Sequence, residues 1–173
     1  MKRFANLKSY DNLFTLQQSE IVEKLLKFSL FHGLESNKDV INELTQLMKK
    51  ETFQTRDLII DENSKDDRMF FLLNGQVVIN KTEANGQIVV IARTDDSTHP
   101  FFGESILLEK FHKNANVVAY SICHCLSLSS VNFDCFLKAH PSVGAIIYKN
   151  LASLIFDRLT KANRDLLLAG LTV

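Results

Sequence analysis

Residues 102–119 read Phe102-Gly103-Glu104-Ser105-Ile106-Leu107-Leu108, then six looser positions from Glu109 to Asn114, then Ala115-Asn116-Val117-Val118-Ala119. Gly103 and Glu104 open a short apolar helical turn, and a Val-rich strand begins at Ala115. The start of a helical turn presents backbone N–H groups and the positive end of its dipole, which together make a cup for a small anion. Gly103 lets the backbone approach a ligand with no Cβ in the way. Ile106, Leu107 and Leu108 are expected to anchor the turn in a core. Glu104 is an odd neighbour for an anion, because like charges repel. Its place makes sense if it accepts a hydrogen bond from a hydroxyl of the same ligand. Lys113 is the cation within reach of such a cup; the plainer reading is a solvated surface lysine.

A ligand with a phosphate and a free hydroxyl close together is a nucleotide. The stretch resembles the phosphate-binding cassette of cyclic nucleotide-binding domains, the family of the catabolite activator protein and the kinase regulatory subunits. That cassette runs Phe-Gly-Glu, a short apolar helix, Pro-Arg, a small residue, Ala and a Val-rich strand. Phe102, Gly103, Glu104, Leu107, Leu108, Ala115, Val117, Val118 and Ala119 match it. The resemblance implies that Glu104 takes the ribose 2′-hydroxyl of cAMP or cGMP. His112-Lys113 stands where Pro-Arg is expected, on a loop one residue shorter, so the phosphate falls to Lys113. Lysine is a flexible point charge where arginine is a rigid two-pronged donor. Asn114 falls where the family carries a small residue near the phosphate. The implied ligand-binding set is Phe102, Gly103, Glu104, Ser105, Lys113, Asn114 and Ala115, with no catalytic residue and no metal ligand.

The likeness extends from about Lys27 to Asn163. Phe28 to Leu34 resembles the segment before the family's second helix. Met69 to Asn80 resembles its central strand pair around a glycine, here Gly75, and Phe133 to Asn163 its hinge and last helix. Arg56 and Asn63 occupy early turns where the family often has glycine, so those turns are expected to be altered. The implied fold is α+β: a cyclic nucleotide-binding β-roll, a jelly-roll-like antiparallel barrel, flanked by N-terminal helices and a long C-terminal helix. Its parts are an N-terminal helical segment over 1–50, the roll over 51–132, and a hinge with the last helix over 133–173, forming one domain.

Periodicity agrees. Ile21, Val22, Leu25 and Leu26 recur at helical spacing within Gln17 to Lys27. Ser36 to Asp39 reads as a capping signal before a helix that turns Val40, Ile41, Leu44, Leu47 and Met48 inward. From Thr52 to Val131 short β-rich runs follow one another. Asn85-Gly86 between Val77-Val78-Ile79 and Ile88-Val89-Val90-Ile91 predicts a hairpin with a type I′ turn, whose central residues both need φ > 0. Pro141 opens a long helix with Val143, Ile146, Ile147, Leu151, Leu154 and Ile155 on one stripe. Tyr10, Leu13, Phe14 and Leu16 suggest an added N-terminal helix or arm.

The chain has 173 residues, 46% of them hydrophobic, with 20 basic and 20 acidic side chains. One core suffices at that length. Zero net charge argues against a nucleic-acid surface. No apolar run nears the roughly 20 residues a bilayer requires. No apolar segment follows Met1-Lys2-Arg3 to suggest a leader, and three cysteines suit reduced thiols, so a cytoplasmic protein is expected. On a strand Cys123 and Cys125 share a face and His124 takes the other, so the three cannot converge on a metal. His124, in phase with Ile122 and Leu126, reads as a core histidine, and Cys135 as a small buried hydrophobe.

No arrangement of residues points to an enzyme. A chain ending at Val173, without a helix-turn-helix, is expected to act as a stand-alone sensor of cAMP or cGMP that signals through protein contacts. The alternative is a degenerate domain that binds no nucleotide and serves as an adaptor. Leu166-Leu167-Leu168 and Leu171 extend the apolar character of the last helix and suggest a partner surface, possible homodimerisation included.

Overall fold

The computed structural model describes residues 16–108 and 113–170. The suggested arm at Tyr10 to Phe14, along with His112 and Leu171, lies outside them. Two short helices come first, α1 (Gln18–Leu25) and α2 (Lys38–Gln46), with a 3-10 turn, Ser29–Phe31, between them. Eight strands follow: β1 (Lys49–Phe53), β2 (Leu58–Ile60), β3 (Arg68–Asn74), β4 (Gln76–Thr82), β5 (Ile88–Asp95), β6 (Phe101–Phe102), β7 (Asn116–Ala119) and β8 (Cys123–Ser129). Helices α3 (Ser130–Ala139) and α4 (Pro141–Leu168) complete the chain. The strands form two antiparallel sheets in the orders β1-β8-β3-β6 and β2-β7-β4-β5, which is the β-roll.

The apolar run Met69-Phe70-Phe71-Leu72-Leu73 explains how the layers join. A strand with apolar residues at every position is suited to burial on both faces. Phe70 and Leu72 enter the space between the sheets with Ile59, Ile60, Val77, Phe102, Val117, Cys123 and Cys125. Met69, Phe71 and Leu73 turn the other way, onto Leu25, Phe28, Phe31, Phe133, Ile147 and Leu151 of the helical layer. β8 alternates likewise: Cys123 and Cys125 face the roll, and Leu126 and Leu128 the helices. His124 is buried, with Nδ1 3.0 Å from Thr52 Oγ1, as a core histidine should be.

Local details depart from expectation in several places. α2 starts after Asn37 with no side-chain cap; the capping box is at α1 instead, between Gln17 and Glu20. The β4–β5 turn is not type I′: Gly86 N–H donates to Glu83 O at 2.8 Å, and only Gly86 has positive φ, +83°. This is the longer hairpin loop with a left-handed glycine at its end. Arg56 has φ +79°, so its turn keeps the left-handed conformation a glycine would supply, whereas Asn63 does not take positive φ. Cys135 is exposed. Leu47 and Ile155 are exposed too, the latter at 41%, so the inward stripe of α4 ends earlier than predicted.

Candidate functional site

β6 delivers the Phe102-Gly103-Glu104 stretch. Phe102 pairs with Phe70 of β3, and its side chain belongs to the core between the sheets. Gly103 then turns the chain at φ +82° into a 3-10 turn over Glu104–Leu108. Ile106 and Leu107 anchor that turn, while Leu108 is exposed, contrary to the sequence reading. The Ser105 hydroxyl is buried and has no hydrogen-bond partner among the described residues. Asn114 is exposed and Ala115 half-buried. The strand begins one residue later than expected, at Asn116, whose amide group binds the Glu62 N–H at 2.9 Å, Glu62 Oε1 at 3.0 Å and Asn80 Oδ1 at 3.2 Å.

Lys113 is not a solvated surface lysine. It is 7% exposed, and its ammonium donates to the Arg68 carbonyl at 2.9 Å. A β-carbon on Gly103 would lie 2.7 Å from that same carbonyl oxygen and 3.2 Å from Lys113 Nζ. Glycine is therefore required here because Lys113 and the start of β3 press against it. Close approach of a ligand, the reason read from sequence, is a different demand on the same atom. Burial pushes the Lys113 ammonium below its usual range, against the pull of Asp66, Glu104 and Asp67.

Arg68 is the hub beneath. Nε and Nη2 hold Asp66 at 2.9 and 2.6 Å, Nη1 holds both Glu51 oxygens at 2.9 and 3.0 Å, and the guanidinium lies 5.0 Å from the Phe70 ring centre. The hydrogen bond to Asp66 is the chief reason its affinity for the proton rises further. Burial pushes the Asp66 carboxyl up, but the hydrogen bonds and charge of Arg68 outweigh it, leaving it below its usual range.

Glu104 is bound to Arg158 of α4, whose Nη1 donates to Glu104 Oε1. Sequence reasoning missed Arg158. A signal was present: Ile147, Leu151 and Leu154 lead at helical steps to position 158, which puts Arg158 on the same side of α4 as the residues packed on the domain, although it is itself exposed. Of the residues read as one site, Gly103 and Lys113 pack with the Arg68 carbonyl, Glu104 acts on the Lys113 charge and is bound to Arg158, and Phe102 belongs to the core between the sheets.

The family model described as the cyclic nucleotide-binding domain matches residues 50–140, which run from β1 through the β-roll and the Gly-Glu turn to the end of α3. The chain belongs to the cyclic nucleotide-binding domain family. It is 33% identical over 130 residues to the human potassium/sodium hyperpolarization-activated cyclic nucleotide-gated channel 1, an alignment covering 73% of this chain and 14% of the channel. A cyclic nucleotide-binding domain from Methylobacillus flagellatus superposes with a TM-score of 0.75 at 19% identity, covering 90% of this chain and 86% of that one. The catabolite activator protein of Thermus thermophilus gives 0.68 at 22% identity, covering 82% and 63%. Both structural likenesses concern the fold. Among the described residues of the domain no helix is long and apolar enough to cross a membrane, and no cluster of ligating side chains could hold a metal.

Proposed function

We propose that this domain is a ligand-sensing regulatory module. Glu104 takes a ribose hydroxyl, the Ser105 side of the turn lines the rest of the cup, and α4 carries the outcome to a protein partner. cAMP and cGMP are the ligands the family implies. The observation that supports this reading most is the bond between Glu104 and Arg158. It joins the residue best suited to a ribose to the helix best placed to move, so occupancy of one bears on the position of the other. Past Leu151 and Leu154, α4 leaves Ile155, Phe156, Leu159, Leu166, Leu167 and Leu168 exposed. Tyr148, Ala152, Ile155, Leu159, Ala162 and Leu166 alternate steps of four and three residues, the spacing of a coiled-coil seam, so a second copy of the chain suits this helix.

A second reading, an adaptor that binds no nucleotide, is favoured by Lys113, whose ammonium is committed to the Arg68 carbonyl. Thermal unfolding with and without cAMP and cGMP distinguishes the two. A ligand at 100 times its Kd adds about 2.7 kcal/mol. For a chain of this size that raises Tm by roughly 5–11 °C. The shift is expected to shrink in Glu104→Ala. The absence of any shift for every nucleotide and nucleoside at millimolar concentration selects the adaptor.

A further inference from the structure

The sheet edges differ in how they are guarded against another strand. Among the described residues the edge strands are β1 and β6 of one sheet and β2 and β5 of the other. An open edge displays unpaired N–H and C=O groups, and proteins blunt it with charged side chains or by keeping it short. β1 carries Lys49 and Lys50, both exposed, while β6 has two residues and β2 three. β5 has neither guard. It runs for eight residues, and Ile88, Val89, Val90 and Ile91 are exposed at 64, 39, 49 and 57%. We infer that the free edge of β5 is a self-association site. There it pairs antiparallel with β5 of a second copy of the chain, joining two four-stranded sheets into one continuous sheet.

The exposure pattern selects a strand as the occupant. Successive side chains of a strand point to opposite faces, so the run from Ile88 to Ile91 bares apolar groups on both. A helix laid on one face would leave the other in water. A strand added at the edge shields both faces and satisfies the open backbone groups as well. The charges select a second copy and its direction. Ile88 to Ala92 carries no charge; Arg93 and Asp95 follow it, and Asn85, Gly86 and Gln87 precede it. A two-fold axis near Val90 sets Arg93 against the partner's Gln87 and Asp95 against the partner's Asn85. Like charges then do not meet, and β-branched residues oppose one another between those ends. Parallel pairing would instead set Arg93 against the partner's Arg93. β4 occupies the other edge of β5, from Thr82 opposite Ile88 to Gln76 opposite Asp95. Ile79 and Asn80 oppose Ala92 and Val90, so Ile91 is a bulge residue with no partner on β4. That bulge bends the strand but puts no charge on it. The joined sheet stays within the usual limit of about ten strands. One strand pair is a small contact, so the association is weak, with a Kd on the order of 0.1 mM. It uses no residue of α4 and depends on no ligand.

Amide hydrogen exchange, read residue by residue by NMR on the full chain at about 20 μM and about 1 mM, tests this. The expected result is that alternate amides of β5, those turned away from β4, exchange about fourfold more slowly at the higher concentration. The amides turned toward β4 should exchange at the same rate in both samples. Val90→Lys places two like charges together at the two-fold and should abolish the concentration dependence. Ile88→Lys serves the same purpose if that variant does not fold. Val90→Thr keeps the β-branched shape and should weaken the association by no more than about threefold. Leu159→Glu, on α4, should leave the β5 amides dependent on concentration. Outward amides that exchange freely at both concentrations overturn the inference, since no second copy then covers the edge. Outward amides already protected at 20 μM, with no further change, show an edge covered from within the chain and overturn it too. Concentration dependence that survives both Val90→Lys and Ile88→Lys, or that vanishes in Leu159→Glu, places the contact elsewhere and overturns it as well.

Discussion

Arg56 sits at φ +79°, in a turn where its β-carbon is a burden. The turn persists because its backbone is tied on both sides. Arg56 N–H donates to Ala119 O at 2.8 Å, Asp57 N–H to Gln54 O at 2.9 Å, and Gln54 N–H to the Asp57 carboxylate at 2.7 Å. Tertiary bonds hold a residue where its own preference would not. Arg56→Gly should therefore stabilise the domain by about 0.5–1 kcal/mol, relief of the left-handed strain exceeding the added freedom of the unfolded chain. Urea denaturation midpoints measure it, and a drop in midpoint would contradict it. Lys113 makes a second prediction at this scale. Its proton affinity is lowered on folding, so between its lowered value and the ordinary 10.5 the unfolded chain holds more proton than the folded one. The penalty for its charge is complete at neutral pH and fades as pH rises through that window. The wild type should gain stability relative to Lys113→Met between pH 7 and pH 10, by up to about 1.4 kcal/mol for each unit of depression. Paired denaturation curves at the two pH values give the sign.

At the scale of elements, α4 has two halves of different character. Val143, Gly144, Ile147 and Leu151 are buried, and Asn150 Nδ2 donates to the carbonyls of Leu30 and His32 at 3.0 and 2.9 Å, which locks this half onto the 3-10 turn. Beyond Leu154 the helix meets the domain through Arg158 at Glu104. If the exposed seam is occupied by a second copy, the full chain sediments as a dimer. Leu159→Glu, which places two like charges across a two-fold seam, should then raise the dissociation constant by about 100-fold or more, close to 2.7 kcal/mol. Sedimentation at a series of concentrations decides it, and a wild-type monomer at 100 μM or so removes the dimer. The β4–β5 hairpin shows where element reading stops short. Asn-Gly announced a reversal, and the reversal is there, but strand register placed Glu83 to Gly86 in the loop and left Asn85 with ordinary φ. Turn type depends on how the strands pair, and a dipeptide does not report that.

In the molecule as a whole, the two buried clusters share β3 and β8, each strand giving alternate residues to one and the other. Neither layer can melt without uncovering the second face of these strands. Thermal unfolding followed by far-UV circular dichroism, for the helices, and by near-UV signals of the phenylalanines packed in the roll should give coincident transitions. An earlier loss of helix would show that the helical layer is separable.

The sequence by itself determined the roll. Alternating and continuous apolar runs, glycine at 75 and 103, the turn at Asn85-Gly86 and the long stripe after Pro141 are local signals, and local signals set element type, order and inward face. It also pointed to Glu104 and Lys113 as the residues to ask about. Only the tertiary structure decided what those residues touch. Lys113 looked like the cassette's missing cation because its position along the chain says so. Its ammonium instead meets a carbonyl 45 residues earlier, against the bare face of Gly103. Glu104 finds its partner 54 residues later, on a helix whose approach no spacing within the cassette records. Charge compensation is a sum over neighbours in space, and those neighbours come from β3, the Gly-Glu turn and α4 together, so which charges offset one another here is a property of the fold and not of the motif.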